Sequence, residues 1–427
     1  MKNFVEELRW RGMLHDMMPE TEAQLQKEMT AGNIGFDPTA ASLHIGNLAT
    51  IMLLVHFQKA GHKPFALVGG ATGMIGDPSG KSAERQFLSV ETLQHNQACI
   101  KQQLEKFLDF DAGANAAEMV NNYDWFQEIK FLDFLRDVGK RLTVNYMMAK
   151  DSVKNRLTEG SGISFTEFSY QLLQGYDFYH LYKHHNCKLQ MGGSDQWGNI
   201  TTGTELIRRI DEGKAYALTC PLLTKADGTK FGKSEQGNVW LDASMTSPYK
   251  FYQFWLNVDD KDLGKLLRVF SLKEKEAIEA LETENSTNPN ALKRALAEEL
   301  TARIHGEENL AAVVKASSIL FSKDALDTIK TIDEALLLEA FDEEPQIELS
   351  KSVLQNVENI TDFLSSTTQN LIFSSKGEVR RAIQNNAVSI NKVKVKDPNQ
   401  AVDFELLRDK YIIAQNGKRK HYLIKVV

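Results

Sequence analysis

The feature of this 427-residue chain that most restricts its fold is the alternation of short β-like runs with amphipathic segments over residues 1 to about 245. PFALVGG (64–70) is typical of a buried strand that runs into a glycine turn, and LATIMLLVHFQKAG (48–61) of a helix that ends at Gly61. CKLQMGGSDQWGN (187–199) and AYALTCPLLT (215–224) indicate two further strands. Strands interleaved with helices predict parallel βαβ units, in which ligands bind at the carboxyl ends of the strands.

The pattern changes after Ser247-Pro248, where four successive segments have the apolar spacing of helices. We predict a small helical domain over residues 246–320. Residues 321–350 carry nine acidic residues against two lysines but keep helical apolar spacing, which indicates an acidic, partly ordered connector. A last domain is predicted over residues 351–427.

Charge is distributed unevenly along the chain. The total is −7, yet residues 374–427 hold 12 Lys and Arg against 5 Asp and Glu, a net charge of +7, so the residues before them carry −14. Such asymmetry is typical of a protein with a module that binds a polyanion. A nucleic acid is therefore an expected partner of the basic end.

Composition argues against several classes of protein. No run of about 18 apolar residues is present, so we expect no membrane span, and the charged, amphipathic N-terminus has no signal-peptide core. The three scattered cysteines do not form a disulfide framework and favour a cytoplasmic location. His184, His185 and Cys187 lie close together, but no second ligand pair has zinc-like spacing, so we interpret KHHNCK as a solvated loop and predict no metal ligand.

The glycine-rich GMIGDPSGKS (73–82) ends like a phosphate-binding P-loop but departs from that motif. The P-loop pattern requires glycine at position 75, where this chain has isoleucine. Pro78 removes a backbone N–H that a phosphate would use, and Asp77 would add a negative charge beside the anion. We interpret the glycines as a tight turn that presents Asp77 to a cation such as a substrate ammonium.

A stronger indication of nucleotide chemistry comes from NIGFDPTAASLHIGNLAT (33–50). Ser42 is predicted to cap the helix that follows, which puts His44 and Asn47 in its first turn, where free N–H groups and the positive helix end suit a triphosphate. Gly46 would let an adenine ring approach the backbone. Far downstream, TKADGTKFGKSEQGN (224–238), called here the lysine loop, carries three lysines among glycines and suits a mobile clamp on leaving pyrophosphate.

HIGN together with KFGKS resembles the two signature sequences of class I aminoacyl-tRNA synthetases. The segments GFDPTAASLHIGN, LVGGATGMIGDPSG, NNYDW, SFTEFSYQLLQGYDF and MGGSDQWGN narrow the resemblance to bacterial tyrosyl-tRNA synthetases, over the whole of residues 1–427. The resemblance implies an α/β fold. A Rossmann-like parallel-sheet catalytic domain with a dimer-forming insertion would occupy residues 1–245. A helical domain on the anticodon side of tRNA would follow, and a small α+β RNA-binding domain would end the chain after the connector.

The resemblance also implies an ATP site. Thr39 and His44 would bind the γ-phosphate side of ATP as pyrophosphate leaves, and Asn47 stands where many relatives have a second histidine. The residues expected along the nucleotide are Asp37, Gly46, Asn47, Thr50, Gly193, Asp195 and Ser234. Those expected to engage the departing phosphates are Lys81, Arg85, Lys230 and Lys233. Mg²⁺ is expected to accompany ATP.

The same resemblance implies a tyrosine site. The residues expected to hold the substrate α-ammonium are Asp77, Tyr170 and Gln174. Gln196 would orient the carboxylate, and Asp177 would accept a hydrogen bond from the phenol. Tyr170, Gln174 and Asp177 are spaced at i, i+4 and i+7, so one helix face can present all three.

Asn33 marks a departure from the family pattern. It stands where the family usually has a tyrosine that donates to the substrate hydroxyl. Its amide has both donor and acceptor groups but is carried on a shorter side chain, so we expect it to contact the hydroxyl through a water.

The basic tail resembles a small RNA-binding module first known from ribosomal proteins. SSKGEVRRAIQNNAVSINKVKV (374–395) predicts a short helix, a turn and alternating strand residues. The residues expected to meet RNA phosphates are Lys376, Arg380, Arg381, Lys418, Arg419 and Lys420.

The reaction that the resemblance implies has two steps. The carboxylate of L-tyrosine attacks the α-phosphate of ATP, and the activated acyl group then passes to the terminal ribose of the cognate tRNA. A homodimer is implied, with an interface near VGKRLTVNYMMAK and ISFTEFSY. Two alternatives stay open: an RNA-binding protein built on a synthetase that has lost its chemistry, and a synthetase for another aromatic amino acid.

Overall fold

The structure, a computed structural model, describes residues 2–79, 88–158, 162–234, 237–319, 325–342, 344–417 and 420–427. By its internal contacts the chain divides into two compact units, Met1–Ser247 with Phe254–Ile304, and Pro248–Gln253 with His305–Val427. The domain boundaries drawn from the sequence remain predictions. Within the described ranges, no helix is both long enough and apolar enough to cross a membrane.

Six of the predicted site residues are affected by these gaps. Lys81, Arg85, Lys418 and Arg419 lie outside the described residues, and for Lys233 and Ser234 only the backbone is described.

The first unit is built on a six-stranded sheet. Its strands are β1 (Asp16–Met17), β2 (Ala31–Phe36), β3 (Lys63–Val68), β4 (Glu118–Asn121), β5 (Cys187–Gly193) and β6 (Tyr216–Cys220), and a separate pair is formed by β7 (Lys233–Ser234) and β8 (Gly237–Asn238). The order is β1-β6-β5-β2-β3-β4, and all neighbouring pairs are parallel except β1 with β6. The predicted α/β fold with a Rossmann-like parallel sheet is confirmed. Ligand sites in such sheets lie where the strand order reverses, which here is at the carboxyl ends of β2 and β5.

Helices pack against this sheet. The helices between residues 1 and 305 are α1 (Phe4–Arg11), α2 (Thr21–Lys27), α3 (Ile45–Lys59), α4 (Val90–Leu104), α5 (Tyr123–Phe126), α6 (Phe131–Asp137), α7 (Val144–Met148), α8 (Asp151–Thr158), α9 (Phe165–His185), α10 (Trp197–Asp211), α11 (Pro248–Leu256), α12 (Asp260–Phe270), α13 (Lys275–Glu284) and α14 (Pro289–His305). Helices α3, α9 and α10 contact strand β5, whereas residues 248–253 of α11 and His305 of α14 belong to the second unit. A Cβ on Gly32 of β2 would lie 2.9 Å from the ring of Phe57, so α3 packs closely against the central strand. A Cβ on Gly203 would lie 2.8 Å from Phe178, so α9 and α10 also cross closely.

The start of α3 differs from the sequence prediction. The N-cap is His44, in extended conformation, and the backbone N–H of His44 donates to Asn47 Oδ1 at 3.1 Å. Ser42 is therefore not the cap, and its buried hydroxyl instead donates to the Leu43 carbonyl at 2.7 Å. The helix begins later because the amide of Asn47, three residues on, satisfies the N–H at the cap position.

Two further predictions are corrected at strand boundaries. The KHHNCK segment is not a solvated loop: α9 continues through His185, Asn186 makes the turn with a φ of 51°, and the buried Cys187 begins β5. Strand β6 ends at Cys220 rather than at residue 224, because Pro221 has no N–H for the ladder.

The second unit contains the tail. Its helices are α15 (Glu307–Ile319), α16 (Ala325–Thr331), α17 (Glu334–Ala340), α18 (Lys351–Gln355), α19 (Ile360–Asp362) and α20 (Lys376–Gln384), and its strands are β9 (Gln346–Leu349), β10 (Val388–Ile390), β11 (Val393–Lys394), β12 (Tyr411–Asn416) and β13 (Lys420–Val426). The sheet order is β11-β10-β12-β13-β9. Strand β9 comes from the predicted acidic connector and pairs in parallel with β13, and Tyr411 donates to Glu334 Oε1 at 2.6 Å. The predicted small α+β domain at the end of the chain is confirmed, and described parts of the connector pack onto it.

Candidate active site

The carboxyl end of β2 carries the first part of the site. Asp37 follows this strand, and its carboxylate accepts hydrogen bonds from the Tyr170 hydroxyl at 2.9 Å and from Thr72 Oγ1 at 2.8 Å. A Cβ on Gly69 would lie 2.2 Å from Asp37 Oδ1, so the glycine after β3 makes room for this carboxylate. Gly35 is exposed although its neighbours in β2 are buried, which shows that the strand opens onto solvent just before Asp37.

The hydrogen bonds around Asp37 continue from Thr72 to Asp177. Asn122 Nδ2 donates both to Thr72 Oγ1 and to Asp177 Oδ2 at 3.0 Å, and Trp125 Nε1 donates to Asp177 Oδ1 at 2.9 Å. Burial raises the pKa of Asp177 to about 8, against the two hydrogen bonds, which lower it. Burial, aided by the charge of Asp37, also holds the pKa of Tyr170 well above 10. Sequence reasoning did not assign roles to Asn122 and Trp125, although NNYDW was part of the resemblance.

A second polar cluster surrounds Asp77. Its carboxylate accepts from Gln196 Nε2 at 2.7 Å and from the Ser79 N–H at 2.9 Å. Asn199 Nδ2 donates to Gln174 Oε1 at 2.9 Å and lies 3.4 Å from Asp77 Oδ1. All these donors are neutral, so none of them brings a positive charge to the Asp77 carboxylate. Asn199, at the start of α10, was not predicted as a site residue.

One side of α9 supplies residues to both clusters. Tyr170 reaches Asp37, Gln174 reaches Asn199, and Asp177 reaches Asn122. The spacing of these three residues predicted a common face, and each of them meets a partner from the carboxyl end of the sheet.

Asn33 lies deeper in the sheet than the other predicted tyrosine-site residues. It is fully buried, its Nδ2 donates to the Leu189 carbonyl at 3.2 Å, and it lies 3.4 Å from Cys187 Sγ. Its Oδ1 accepts from Gln190 Nε2 at 3.2 Å. The amide thus joins β2 to β5 beside the shift in register between Ala31 and Gly32.

The His44 turn (residues 43–47) forms backbone hydrogen bonds with the residues that directly follow the lysine loop. The Ile45 N–H donates to the Val239 carbonyl at 2.9 Å, and the Leu241 N–H donates to the Leu43 carbonyl at 2.8 Å. The Val239 N–H donates in turn to the Gly232 carbonyl at 3.1 Å. The two sequence motifs, almost two hundred residues apart, therefore join through backbone hydrogen bonds.

Two glycines allow this close approach. A Cβ on Gly46 would lie 2.8 Å from His44 Cε1, and a Cβ on Gly232 would lie 3.0 Å from the Gly46 nitrogen. Gly232 also has a φ of 92°, in the left-handed region that favours glycine. The imidazole thus lies over the first turn of α3, with the lysine loop against the same turn.

The lysine loop also affects the GGSDQ turn after β5. Burial raises the pKa of Asp195, the charge of Asp77 raises it further, and the charge of Lys230 lowers it. Lys230 and Asp195 therefore lie within electrostatic range of each other. Gly193 makes room for Asp195, since a Cβ there would lie 2.7 Å from Asp195 Oδ1.

The remaining predicted ATP residues are near this region. Thr39 is exposed in the turn after β2, and its N–H donates to the Asp37 carbonyl at 2.9 Å. The Thr50 hydroxyl donates to the Asn47 carbonyl at 2.8 Å inside α3. Among the described residues, no group of three or more His, Cys, Asp or Glu could hold a metal ion.

The basic tail presents its own surface. Arg380, Arg381 and Lys420 are exposed, and Lys376 pairs with Asp362 at 2.5 Å. A hydrogen bond from Ser374 lowers the pKa of Glu378, and the charges of Arg381 and Lys420 lower it further. Helix α20 and the start of β13 therefore share one basic surface.

Comparison with known families identifies both units. The model for class I tRNA synthetases (W and Y) matches residues 26–322, and that for the tyrosine–tRNA ligase SYY-like C-terminal domain matches residues 337–424. The tyrosine–tRNA ligase of Cytophaga hutchinsonii is 61% identical over 427 residues, which is 100% of both chains. That of Porphyromonas gingivalis is 58% identical over 430 residues, covering 99% of this chain and 100% of the relative.

Solved structures agree with these matches. A C-terminally truncated mitochondrial tyrosyl-tRNA synthetase of Aspergillus nidulans has a TM-score of 0.67 and 30% identity, covering 75% of this chain and 95% of that one. The tyrosyl-tRNA synthetase of Archaeoglobus fulgidus, complexed with L-tyrosine, has a TM-score of 0.52 and 18% identity, covering 72% and 99%. The second likeness concerns the fold alone.

Proposed function

Because the chain belongs to the tyrosyl-tRNA synthetases, class I enzymes that charge tRNA with tyrosine, we propose that it acts in two steps through a tyrosyl-adenylate. The carboxylate of tyrosine attacks the α-phosphate of ATP and pyrophosphate leaves. The acyl group then passes to the terminal ribose of tRNA. The observation that carries this proposal is the backbone pairing of the His44 turn with residues 239–241, directly after the lysine loop, which brings Gly232 of the loop against Gly46.

Catalysis in this proposal needs no protein nucleophile. His44 and Thr39 bind the phosphates as the bond between the α and β phosphates breaks, and Lys230 and Lys233 stabilise the charge that develops on pyrophosphate. Lys81 and Arg85 join them. The residues along the nucleotide are Asp37, Gly46, Asn47, Thr50, Gly193, Asp195 and Ser234. Mg²⁺ enters as the complex with ATP, held by phosphate oxygens.

The two polar clusters support a place for tyrosine. The Asp77 carboxylate, surrounded by neutral donors, binds the substrate ammonium together with Tyr170 and Gln174. Gln196 orients the carboxylate that attacks ATP. Asp177, held by Asn122 and Trp125, meets the phenol.

A specific observation favours a second candidate, a synthetase for another aromatic amino acid. The amide of Asn33 is engaged by Leu189 and Gln190. If the phenol relies on Asp177 without direct help from Asn33, discrimination between tyrosine and related aromatic amino acids rests on fewer hydrogen bonds.

Exposed apolar side chains support a homodimer. Phe131, Leu132, Val144 and Phe165 are 64%, 75%, 60% and 70% exposed. Val144 and Phe165 lie in the two segments near which the dimer interface was predicted, and Phe131 and Leu132 lie in α6, just before the first of these segments. A second copy of this chain is the proposed occupant of this surface. The tail binds tRNA through its phosphates, and the enzyme works in the cytoplasm.

ATP–pyrophosphate exchange with a panel of amino acids tests the proposal. Exchange that depends on tyrosine, and is at least about tenfold weaker with phenylalanine, is expected. Stronger exchange with another aromatic amino acid would favour the second candidate. Absence of exchange with every amino acid would leave the alternative of an RNA-binding protein without the chemistry.

A further inference from the structure

The indole of Trp240 lies against the imidazole of His44, and the proposed reaction gives it no role. The ring centroids are 5.7 Å apart and the planes are inclined by 66°, an edge-to-face contact. The backbone of Trp240 also forms an antiparallel bridge with His44. The tryptophan therefore meets the histidine through both its main chain and its side chain.

The backbone of Trp240 is held from several directions. Its N–H donates to Thr246 Oγ1 at 2.9 Å. The residues on either side, Val239 and Leu241, are buried and form backbone hydrogen bonds with the His44 turn. The position of the indole therefore follows from backbone that is itself attached to the start of α3.

The imidazole of His44 has little room to move. It lies over Gly46, where a Cβ would come within 2.8 Å of Cε1 and 2.9 Å of Nδ1. The indole is a second neighbour of the same ring. The N–H of Val239, next to Trp240, donates to the carbonyl of Gly232 in the lysine loop. A displacement of the loop at Gly232 would therefore also displace the indole.

We propose that Trp240 is a positioning residue for adenylation. Its indole holds the His44 imidazole in the orientation that the phosphates require and links that orientation to the position of the lysine loop. The inference rests on the proposed function, since His44 must act at the phosphates for its orientation to matter. Trp240 acts through His44 and needs no contact with substrate.

The test compares Trp240→Leu with Trp240→Phe in tyrosine-dependent exchange. Leucine removes the aromatic contact and is expected to lower kcat about five- to tenfold. The KM for tyrosine is expected to stay unchanged, because the residues proposed to hold tyrosine lie in the two polar clusters around Asp77 and Asp177 and not beside Trp240. Phenylalanine keeps an edge-to-face partner and is expected to recover most of the loss. Trp10→Leu, which removes a tryptophan that bonds to Glu279, is the control and is expected to leave kcat unchanged.

A double-mutant cycle separates positioning from general stability. In a His44→Ala background, Trp240→Leu is expected to have no further effect on kcat. An equal loss in both backgrounds, or an unchanged kcat in the single variant, would overturn the proposal.

A spectroscopic measurement keeps the contact testable if the wild-type protein shows no exchange, an outcome that would defeat the proposed function instead. The indole lies against the imidazole, so the emission of Trp240, taken as the difference between wild type and Trp240→Phe, is expected to change when His44→Ala removes that neighbour. Trp10 emission, taken in the same way with Trp10→Phe, is expected to stay unchanged in the His44→Ala variant. Trp240 emission that is the same with and without the imidazole would overturn the contact.

Discussion

Asn122 and Asp177 form a hydrogen bond of 3.0 Å between Nδ2 and Oδ2, and both side chains are buried, with exposures of 0% and 2%. Trp125 donates to the other oxygen of the same carboxyl group. Burial nevertheless dominates and raises the pKa of Asp177 to about 8. The carboxyl group of Asp177, which we propose to meet the phenol, is therefore costly to ionise in its buried surroundings.

Because of Asp177, the free energy of unfolding is expected to fall as pH rises from about 4 to about 8. Its pKa in the folded protein lies above its ordinary value of 3.8, so its contribution is fully present below about pH 4 and is lost progressively up to about pH 8. The slope is at most about 1.4 kcal/mol per pH unit. Asp177→Asn should flatten this slope in denaturant unfolding at pH 5 to 8. Asp124→Asn, an exposed carboxylate beside Trp125, is the control. A variant with the wild-type slope would refute the assignment.

The ion pair between Arg156 and Glu167 is expected to contribute strongly to folding. The two side chains are 6% and 3% exposed, and the charged atoms are 3.1 Å apart. Because removal of one partner leaves a buried charge, Arg156→Met should lower the free energy of unfolding by about 3–5 kcal/mol. The same change at Arg208, whose pair with Glu205 is 63% exposed on the arginine side, should cost less than about 1 kcal/mol. Equal losses in urea unfolding would contradict this expectation.

Gly232 and Gly228 provide a matched pair of variants in the lysine loop. Both have positive φ, 92° and 85°, so alanine strains the backbone at either position. Only at Gly232 would the Cβ also meet the first turn of α3, 3.0 Å from the Gly46 nitrogen, whereas nothing lies within 4 Å at Gly228. Gly232→Ala should therefore lower the rate of exchange by about 10²-fold, and Gly228→Ala far less. Similar rates for both variants would mean that close approach at Gly232 does not matter.

The basic surface of the tail is expected to affect charging and not activation. Replacing Arg380 and Arg381 by Gln removes two exposed charges from α20. In a plot of log tRNA affinity against log salt concentration, the slope should become shallower by about one for each RNA phosphate that the variant no longer neutralises. Pyrophosphate exchange should stay unchanged. Lys410→Gln, whose side chain pairs with Glu334 at 3.0 Å, is the control. An unchanged salt slope in the double variant would exclude these arginines from the RNA surface.

The exposed apolar side chains of the insertion predict an oligomer that charge can disrupt. Leu132→Glu introduces a carboxylate at a leucine that is 75% exposed. If this surface joins two copies, sedimentation at about micromolar concentration should show a monomer where the wild type is a dimer. Leu371→Glu, at a leucine of the tail that is 55% exposed, should leave the oligomeric state unchanged. A dimeric Leu132→Glu variant would place the interface elsewhere.

Sequence reasoning was weakest at the ends of helices. Ser42 has the chemistry of an N-cap, yet His44 takes that position because the Asn47 amide is available three residues later. KHHNCK was interpreted as a solvated loop once a metal site was set aside, yet α9 continues through His185 and Asn186 makes the turn into β5. At Ser42, local propensity was overridden by the amide of Asn47, a partner that composition does not reveal.

The class of fold, the family and the motifs proposed to carry the chemistry could be predicted from the order of the residues, because strand and helix periodicity and short glycine-bearing motifs are local properties. Three contacts could be read only from the folded chain: Asn33 bonds to β5, Asn122 and Trp125 hold Asp177, and Trp240 meets His44. Each of these contacts joins residues far apart in the chain. They depend on strand register and helix packing, which settle the position of a side chain only when the whole unit is assembled.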